Sequence, residues 1–245
     1  MTLLQDIVAQ KQIEVAALRG PRHDFVAALR KRPCSIIAEY KRASPSGGEL
    51  NTVRTIEQVA QLYESGGAAA ISILTDERFF QGELDFIQRA RAVCDLPILR
   101  KDFIIDPLQV YQSKFAGADA ILLIVRILSD AQLQTLSALA HELQLQILVE
   151  VHSAAELERA RLCEPDMIGV NTRDLDSLAI RLELLEELRP RISPTICAVA
   201  ESGITTLADF TAACTLGYQA VLMGTVFMKS DNPLQVLKEF SAYGQ

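Results

Sequence analysis

Short apolar runs alternate along the chain with longer segments in which apolar residues recur at helical spacing. Eight of the runs are rich in β-branched residues and predict strands, at 36–40, 69–74, 97–99, 120–125, 146–151, 167–170, 195–199 and 220–223. Helical stripes follow them at about 55–65, 83–93, 107–116, 130–143, 153–162, 178–189, 205–216 and 233–241. Each strand run is almost continuously hydrophobic, which is typical of parallel strands covered on both faces.

Eight strand–helix units in 245 residues predict an α/β fold, a single (β/α)8 TIM barrel domain over 1–245. A doubly wound open sheet is the structural alternative, but it usually carries a G-x-G-x-x-G fingerprint after its first strand, and none is present here. Before the first strand, residues 3–19 form an imperfect helical stripe that we expect to end at Pro21, and a second amphipathic segment covers 24–30. We therefore expect residues 1–34 to be an N-terminal helical extension.

Polar and charged residues stand at the C-terminal ends of the predicted strands, where (β/α)8 barrels carry their active sites. These residues are Glu39, Lys41, Lys101, Arg126, Glu150, Asn171, Arg173, Glu201 and Ser202. Polar residues are common wherever a buried strand ends, and this alone would account for one or two of these nine residues. It explains poorly why charged residues are repeatedly in register with inward-facing apolar neighbours, so we predict one polar site at this rim.

Lys101 allows two interpretations. Alternate strand residues share a face, so if Leu99 faces the core, Lys101 lies just above that core. Burial would then lower its pKa and make it an acid or base near neutral pH. In the alternative, its ammonium reaches solvent and forms a salt bridge with a neighbour.

The last two predicted strands lead into segments suited to binding an anion. Ser202 and Gly203 precede a helix, and Gly224 and Thr225 precede a short segment, 226–229, that could form an extra helical turn. TIM barrels often bind phosphate after strands seven and eight. Ser-Gly and Gly-Thr are also ordinary turn pairs, so only the two loops together predict a phosphate site.

Other parts of the predicted rim have less specific signals. The loop 42–50 is rich in glycine, serine and proline, which fits a mobile segment that closes over substrate and a solvated connector equally well. Phe80 and Phe103 follow the second and third strands, and Leu122 lies in the fourth. Such residues more often serve packing, but beside polar groups they could bind a planar ring.

Composition and charge limit the partners and the compartment. A net charge of −7 offers no basic field for nucleic acid, so we expect a small anionic substrate bound by locally placed cations. The five cysteines are scattered without a C-x-x-C, which predicts buried thiols in a reducing compartment rather than a disulfide framework. The three histidines have no metal-ligand spacing. We see no signal peptide or membrane-length run, and expect a cytoplasmic protein with no membrane partner, as a monomer or weak homo-oligomer.

Taken together, the motifs resemble the indole-3-glycerol phosphate synthase family. Residues 37–47, Ile-Ala-Glu-Tyr-Lys-Arg-Ala-Ser-Pro-Ser-Gly, look like its signature, and Lys-Asp-Phe at 101–103 is also specific. Further similar motifs follow in the family's order at 72–76, 99–104, 122–125, 148–152, 169–175 and 200–204. The resemblance covers essentially the whole chain. Small departures are Gly48, where a lysine or similar residue is common, and Thr225, where serine is frequent.

The resemblance implies that 1-(2-carboxyphenylamino)-1-deoxyribulose 5-phosphate closes to indole-3-glycerol phosphate with loss of carbon dioxide and water, without cofactor or metal. Lys101 would be the general acid that protonates the ribulose carbonyl, and Glu150 would stabilise the cationic intermediate and assist proton transfer. Glu39 and Lys41 would serve the dehydration, and Lys41 would also pair with the substrate carboxylate or phosphate. Asn171 would hold substrate hydroxyls or orient Glu150.

The resemblance also implies the remaining contacts. Ser202 would complete the catalytic set. The substrate would be bound by Ser44, Phe80, Phe103, Leu122, Arg173 and Glu201, of which the two aromatic residues and the leucine would hold the anthranilate ring. The phosphate would be bound by Lys41, Ser202, Gly203, Gly224 and Thr225.

Two other functions are compatible with a phosphate-binding barrel. One is a phosphoribosylanthranilate isomerase-like enzyme, but such isomerases use a Cys and Asp pair, whereas the first strand here ends on Glu39 and Lys41. The other is a noncatalytic barrel that binds a phosphorylated metabolite. Such a barrel would be expected to lose the ionisable groups at its strand ends, and they are all present.

Overall fold

The computed structural model describes residues 3–19, 23–45, 47–50 and 53–243. Its strands are β1 (Ser35–Tyr40), β2 (Ala43–Ser44), β3 (Gly48–Glu49), β4 (Ala70–Leu74), β5 (Ile98–Lys101), β6 (Ala120–Ile124), β7 (Gln146–Val151), β8 (Met167–Asn171), β9 (Cys197–Glu201) and β10 (Ala220–Met223). Its α-helices are α1 (Leu3–Arg19), α2 (Phe25–Leu29), α3 (Ile56–Ser65), α4 (Glu77–Phe80), α5 (Asp85–Arg91), α6 (Pro107–Ala116), α7 (Asp130–Glu142), α8 (Ala154–Ala160), α9 (Glu183–Leu188), α10 (Leu207–Thr215), α11 (Thr225–Met228) and α12 (Pro233–Tyr243).

Eight of these strands close into a parallel barrel in the order β1-β10-β9-β8-β7-β6-β5-β4, which confirms the predicted (β/α)8 fold. Their outward side chains pack under the surrounding helices, and their inward side chains fill a second apolar core inside the barrel. Because both faces are buried, the strands have the nearly continuous hydrophobicity seen in the sequence. Among the described helices, none is both long and apolar enough to cross a membrane.

Helix α2 of the N-terminal extension closes the bottom of the barrel. Phe25 and Leu29 of α2 are fully buried and belong to the inner core. Asp24 caps this helix by accepting a hydrogen bond from Ala27 N–H, and Gln146 at the start of β7 accepts another from Phe25 N–H at 2.6 Å. Helix α1 spans 3–19 as predicted, while the expected helix end at Pro21 lies outside the described residues.

The strands extend further into the polar rim than the apolar runs indicated. Strand β5 continues to Lys101, and β9 runs over 197–201 instead of the predicted 195–199. Their ladder hydrogen bonds continue beyond the apolar residues, so Lys101 and Glu201 lie on strands rather than in loops. Register then places polar residues side by side, with Glu201 opposite Asn171.

Two segments differ from their predicted form. The loop 42–50 contains a small antiparallel pair formed by β2 and β3. The helix predicted over 178–189 is only Glu183–Leu188. Leu178 has a positive φ of 61°, which no α-helix accepts, and the Asp174 carboxylate accepts hydrogen bonds from two following backbone N–H groups.

The prediction that the cysteines are unpaired is wrong for two of the five, because Cys34 and Cys214 form a disulfide. Cys34 immediately precedes β1, and Cys214 lies in α10, which leads into β10. These two strands are neighbours in the closed barrel, so residues 180 positions apart meet at one end of it. The other three, Cys94, Cys163 and Cys197, are buried free thiols as expected.

Candidate active site

The centre of the rim is the ammonium group of Lys101, at the end of β5. Its Nζ lies 2.8 Å from Glu150 Oε2 on β7 and 3.1 Å from Glu201 Oε2 on β9. The Lys101 side chain is only 13% exposed, and those of the two glutamates are 1% and 2% exposed. The alternative is therefore wrong in placing Lys101 in solvent, although the salt bridge that it included is present. Three distant parts of the chain meet in one buried cluster.

The expected direction of the Lys101 pKa shift is also wrong. Burial alone lowers the pKa of this ammonium group, but the negative charges of Glu150, Glu201 and Glu39 outweigh burial and hold the pKa above its usual value. Lys101 is therefore a fully protonated donor in the free protein. The sequence of β5 alone predicts that Lys101 is buried. The direction of its pKa shift depends on carboxylates from three other strands.

The two carboxylates beside Lys101 have different environments. For Glu150, burial raises the pKa, but Lys101, His152 and a hydrogen bond to Asn171 outweigh it, so the pKa is lowered and the group is ionised. For Glu201, burial and the nearby charges of Glu150 and Glu39 prevail over Lys101 and raise the pKa to about 7. One carboxylate is therefore held as an anion while its neighbour is close to its titration point at neutral pH.

Glu201 occupies a space that depends on glycine. Its Oε1 atom is buried without a hydrogen-bond partner among the described residues. A Cβ at Gly169 on the neighbouring β8 would overlap this oxygen, so only glycine leaves room for the carboxylate there. Burial of an unpaired carboxylate oxygen is costly unless the group is protonated, in line with the raised pKa.

A second polar pair lies on β1 and just after it. Lys41 Nζ donates to Glu39 Oε1 at 2.5 Å, and both side chains are largely buried. Glu39 contributes to the raised pKa values of Lys101 and Glu201, which ties this pair electrostatically to the central cluster. Gly224, after β10, accommodates Glu39, because a Cβ at that glycine would lie 2.8 Å from Glu39 Oε1.

Asn171, the last residue of β8, and Arg173, two residues later, have different partners. Asn171 is buried, accepts a hydrogen bond from Arg173 N–H at 3.0 Å and helps to lower the pKa of Glu150. The Arg173 guanidinium donates to the carbonyl of Leu178 at 3.1 Å, within its own loop. The structure therefore brings Asn171 into the central cluster and leaves Arg173 beside it.

The predicted phosphate loops have unusual backbone geometry. Ser202 and Gly203 have successive positive φ angles of 63° and 72° directly after β9. A Cβ at Gly203 would lie 2.7 Å from a methyl group of Ile180 and 2.9 Å from Thr172 Oγ1. After β10, Gly224 leads into the short helix α11, which begins at Thr225, so the predicted extra helical turn is confirmed.

The remaining predicted contacts lie at different depths. Phe80 and Phe103 face each other with ring centroids 6.2 Å apart, and Phe103 is 36% exposed. Leu122, by contrast, is buried in the inner core, paired with Leu148, one step below the pair formed by Ile124 and Glu150. Ser44 lies in β2, where its Oγ accepts a hydrogen bond from Gly47 N–H at 3.0 Å.

Sequence reasoning gave no role to His152, which faces Glu150 with Nε2 lying 3.5 Å from Oε1. The spacing of the three histidines bears only on metal binding and says nothing about the neighbours of each one. The available signal was strand alternation, which places residue 152 on the face of residue 150. Within the described residues, no three His, Cys, Asp or Glu side chains are grouped to bind a metal ion.

Comparison with known proteins gives consistent matches. A family model described as indole-3-glycerol phosphate synthase matches residues 3–240. The chain is 46% identical over 220 residues to the indole-3-glycerol phosphate synthase of Polaromonas naphthalenivorans (strain CJ2), covering 88% of this chain and 84% of that protein. It is 42% identical over 258 residues to the protein of the same description from Variovorax paradoxus (strain S110), covering 96% and 97%. Among solved structures, the N-acetylmannosamine-6-phosphate 2-epimerase from Clostridium perfringens matches with a TM-score of 0.65 at 16% identity, over 90% of this chain and 96% of that one, which shows a shared fold alone.

Proposed function

The chain belongs to the indole-3-glycerol phosphate synthase family, and from this premise we propose a role for each residue at the rim. The enzyme is a carbon–carbon lyase of tryptophan biosynthesis. It closes 1-(2-carboxyphenylamino)-1-deoxyribulose 5-phosphate to indole-3-glycerol phosphate and releases carbon dioxide and water. Its substrate is thus a phosphorylated small molecule.

We propose that Lys101 is the general acid of ring closure. As the anthranilate ring carbon attacks the ribulose carbonyl, the carbonyl oxygen gains negative charge and takes a proton from Nζ. The observation that carries this role is the buried ammonium group between Glu150 and Glu201, which keeps its proton until a substrate oxygen arrives. Substrate binding also excludes water, which strengthens the interaction between the ammonium group and the developing oxyanion.

Glu150 would stabilise the intermediate that forms next. Attack by the ring carbon leaves positive charge on the anilino nitrogen and the ring, and loss of carbon dioxide then restores the aromatic system. An ionised carboxylate is the group that stabilises such a cation, and the lowered pKa of Glu150 supports this assignment. Asn171 would orient Glu150, and its contribution to the lowered pKa of Glu150 supports this role.

Glu39 and Lys41 would carry out the dehydration that completes the indole. The hydroxyl group formed from the ribulose carbonyl leaves as water after it receives a proton, and a carbon-bound or nitrogen-bound proton is removed by a base. An acid and a base held 2.5 Å apart on one strand end fit this pair of transfers. Lys41 would also pair with a substrate carboxylate or phosphate, and Ser202 would complete the catalytic set.

The substrate contacts divide into an anion site and an apolar wall. Backbone N–H groups near Ser202, Gly203, Gly224 and Thr225 would bind the phosphate, and the two successive positive φ angles after β9 support this assignment. Phe80 and Phe103 would hold the anthranilate ring, with Leu122 in the layer beneath them. Ser44, Arg173 and Glu201 would make the remaining contacts.

The phosphate assignment predicts the effect of Gly203→Ala. The Cβ would force the loop away from Ile180 and disturb a residue with φ of 72°. We expect the KM for substrate to rise about 10-fold or more, the loss of one hydrogen bond to a charged group, with a smaller change in kcat. Gly217→Ala is the matched control, because Gly217 also has a positive φ of 90° but precedes β10 at the opposite end of the barrel. Equal KM changes in both variants would contradict the assignment.

The activity itself is tested with purified protein and the carboxyphenylamino-deoxyribulose phosphate. We expect indole fluorescence to appear with time and one carbon dioxide to be released for each indole formed. Phosphoribosylanthranilate, the substrate of the isomerase alternative, should give no product. Binding of the ribulotide without any indole would instead favour a noncatalytic barrel.

We also propose that residues 1–245 form one domain and that the enzyme acts in the cytoplasm. Apolar packing is shared around the whole barrel, and α2 is part of the inner core, which supports one folding unit. The buried free thiols Cys94, Cys163 and Cys197 suit a reducing compartment, whereas the Cys34–Cys214 disulfide does not. The state of a monomer or weak homo-oligomer stays a prediction.

A further inference from the structure

His152 lies against the Glu150 carboxylate, and its own side chain is only 3% exposed. Lys101 Nζ is 2.8 Å from Oε2 of Glu150, whereas His152 Nε2 is 3.5 Å from Oε1. The two oxygens of this carboxylate therefore face two different nitrogen atoms. Apart from this approach to Oε1, His152 Nε2 is buried and has no hydrogen-bond partner among the described residues.

The other side of the imidazole ring is fixed by Glu156 on α8. His152 Nδ1 lies 3.2 Å from Glu156 Oε2, and the His152 backbone N–H donates to the same oxygen at 2.7 Å. Because Oε2 of an ionised carboxylate only accepts, the hydrogen of Nδ1 points to Glu156. The ring orientation that follows directs Nε2 at Glu150.

Glu156 is itself held in place from two further segments. Arg126, which follows β6, donates from Nε to Glu156 Oε1 at 3.2 Å. It also donates from Nη1 to Asp174 Oδ2, at 2.9 Å, in the loop after β8. Opposite charges therefore alternate from Asp174 through Arg126 to Glu156, which holds the His152 ring, so the ring position depends on three separate segments of the rim.

We propose that His152 is a positioning residue for Glu150: held on one side by Glu156, its ring faces Oε1 of Glu150, fixes the rotation of the Glu150 carboxylate and helps to keep that carboxylate ionised. This inference rests on the proposed role of Glu150 in stabilising the cationic intermediate. A protonated Glu150 would have no negative charge to stabilise the intermediate. A rotated Glu150 would direct that charge away from it. The role belongs to the chemical step, so its loss changes kcat more than KM.

Charged and polar groups from several elements determine the charge of Glu150. They are Lys101 on β5, Glu201 on β9, Asn171 on β8 and His152 after β7; Glu39 on β1 acts on Lys101 and Glu201, and Glu156 on α8 lies behind His152. Without the imidazole, burial and the negative charge of Glu201 are opposed by Lys101 and Asn171 alone. The Glu150 pKa then rises, and the acid limb of the kcat profile moves to higher pH.

The experiment measures kcat and KM against pH for four variants. His152→Phe keeps the ring volume without nitrogen, His152→Gln keeps one N–H donor, and Glu156→Gln keeps the shape of the residue behind the ring but removes its charge. His141→Phe is the matched control, since His141 also pairs with a carboxylate, Asp166, at 3.4 Å, but lies at the end of α7.

For His152→Phe we expect kcat to fall about 10- to 100-fold, the range seen when a residue that orients a metal-binding side chain is lost. KM should change less than about twofold. Its acid limb should move up by about one pH unit. His152→Gln should recover part of kcat, Glu156→Gln should shift the acid limb in the same direction by less, and His141→Phe should change neither quantity.

An unmoved acid limb in all the His152 and Glu156 variants, or equal kcat values for His152→Phe and His152→Gln, would overturn the inference and leave His152 a packing residue. Should His152→Phe not fold, as judged by its circular dichroism, the two glutamine variants decide. Glu150→Gln, measured in parallel, separates the proposed role of Glu150 from the proposed role of His152. An active Glu150→Gln enzyme would contradict the role of Glu150 itself, whereas an inactive one with an unmoved His152→Gln profile would overturn the His152 role alone.

Discussion

Lys101→Ala is expected to lower kcat by about 100- to 10,000-fold, the range typical of a lost general acid. In the free protein Lys101 donates to Glu150 at 2.8 Å and contacts Glu201 at 3.1 Å. Alanine removes the proton that the ribulose carbonyl oxygen would receive, and water in its place carries no positive charge. The measurement is the rate of indole fluorescence under saturating substrate.

The same substitution leaves buried carboxylates without their cation. Breaking a buried ion pair from one side costs about 3 to 5 kcal/mol, so Lys101→Ala is also expected to lower the free energy of unfolding. The triple variant Lys101→Ala, Glu150→Gln, Glu201→Gln should recover much of that stability and none of the activity. Lys238→Ala, on an exposed position of α12, is the control and should retain the full rate. Near-full turnover of a folded Lys101→Ala protein would contradict the mechanism.

The barrel could be predicted from the sequence because each of its strands is covered on both faces. Residues such as Leu99 and Leu148 face the inner core, and Ile98 and Ile147 face the helices, so the apolar runs stand out locally. Strand alternation also placed Lys101 and Glu150 correctly on the inward face. The burial of a strand and the face on which each of its residues lies can both be predicted from the sequence of that strand alone.

What the sequence could not predict depends on pairs of distant strands. The pKa of Lys101 is raised rather than lowered because carboxylates from β1, β7 and β9 surround it, and their distances follow from barrel closure. The Cys34–Cys214 disulfide has the same origin, since closure joins the first strand to the last. The sequence predicts that the rim is polar, but it does not predict whether the pKa of Lys101 is raised or lowered there.

Glu201 shows how such a rim affects stability. Its pKa is about 7 in the folded protein, against an ordinary value of 4.5. A carboxyl group with a raised folded-state pKa contributes stability that is fully present below the unfolded-state pKa and is lost as the pH rises through the folded-state pKa. The loss therefore falls between about pH 4.5 and pH 7. At about 1.36 kcal/mol for each pKa unit, the whole shift from 4.5 to about 7 corresponds to a loss of about 3 kcal/mol.

Glu201→Gln should avoid this loss, because the amide is neutral at every pH. We expect the free energy of unfolding of the variant, relative to the unsubstituted enzyme, to increase by about 2 to 3 kcal/mol between pH 5 and pH 8. Urea unfolding at both pH values measures this difference, and Glu187→Gln, on an exposed position of α9, should show no such pH dependence.

Activity should fall in Glu201→Gln although the protein becomes more stable at pH 8, because the residue belongs to the proposed substrate contacts. Such an opposition between activity and stability is expected where a carboxylate is buried for chemistry and not for folding. The unpaired Oε1 atom and the space that Gly169 leaves for it indicate that kind of burial. A stability difference that stays constant from pH 5 to pH 8 would mean that Glu201 ionises as an ordinary carboxylate, and that Lys101 compensates its charge fully in the fold.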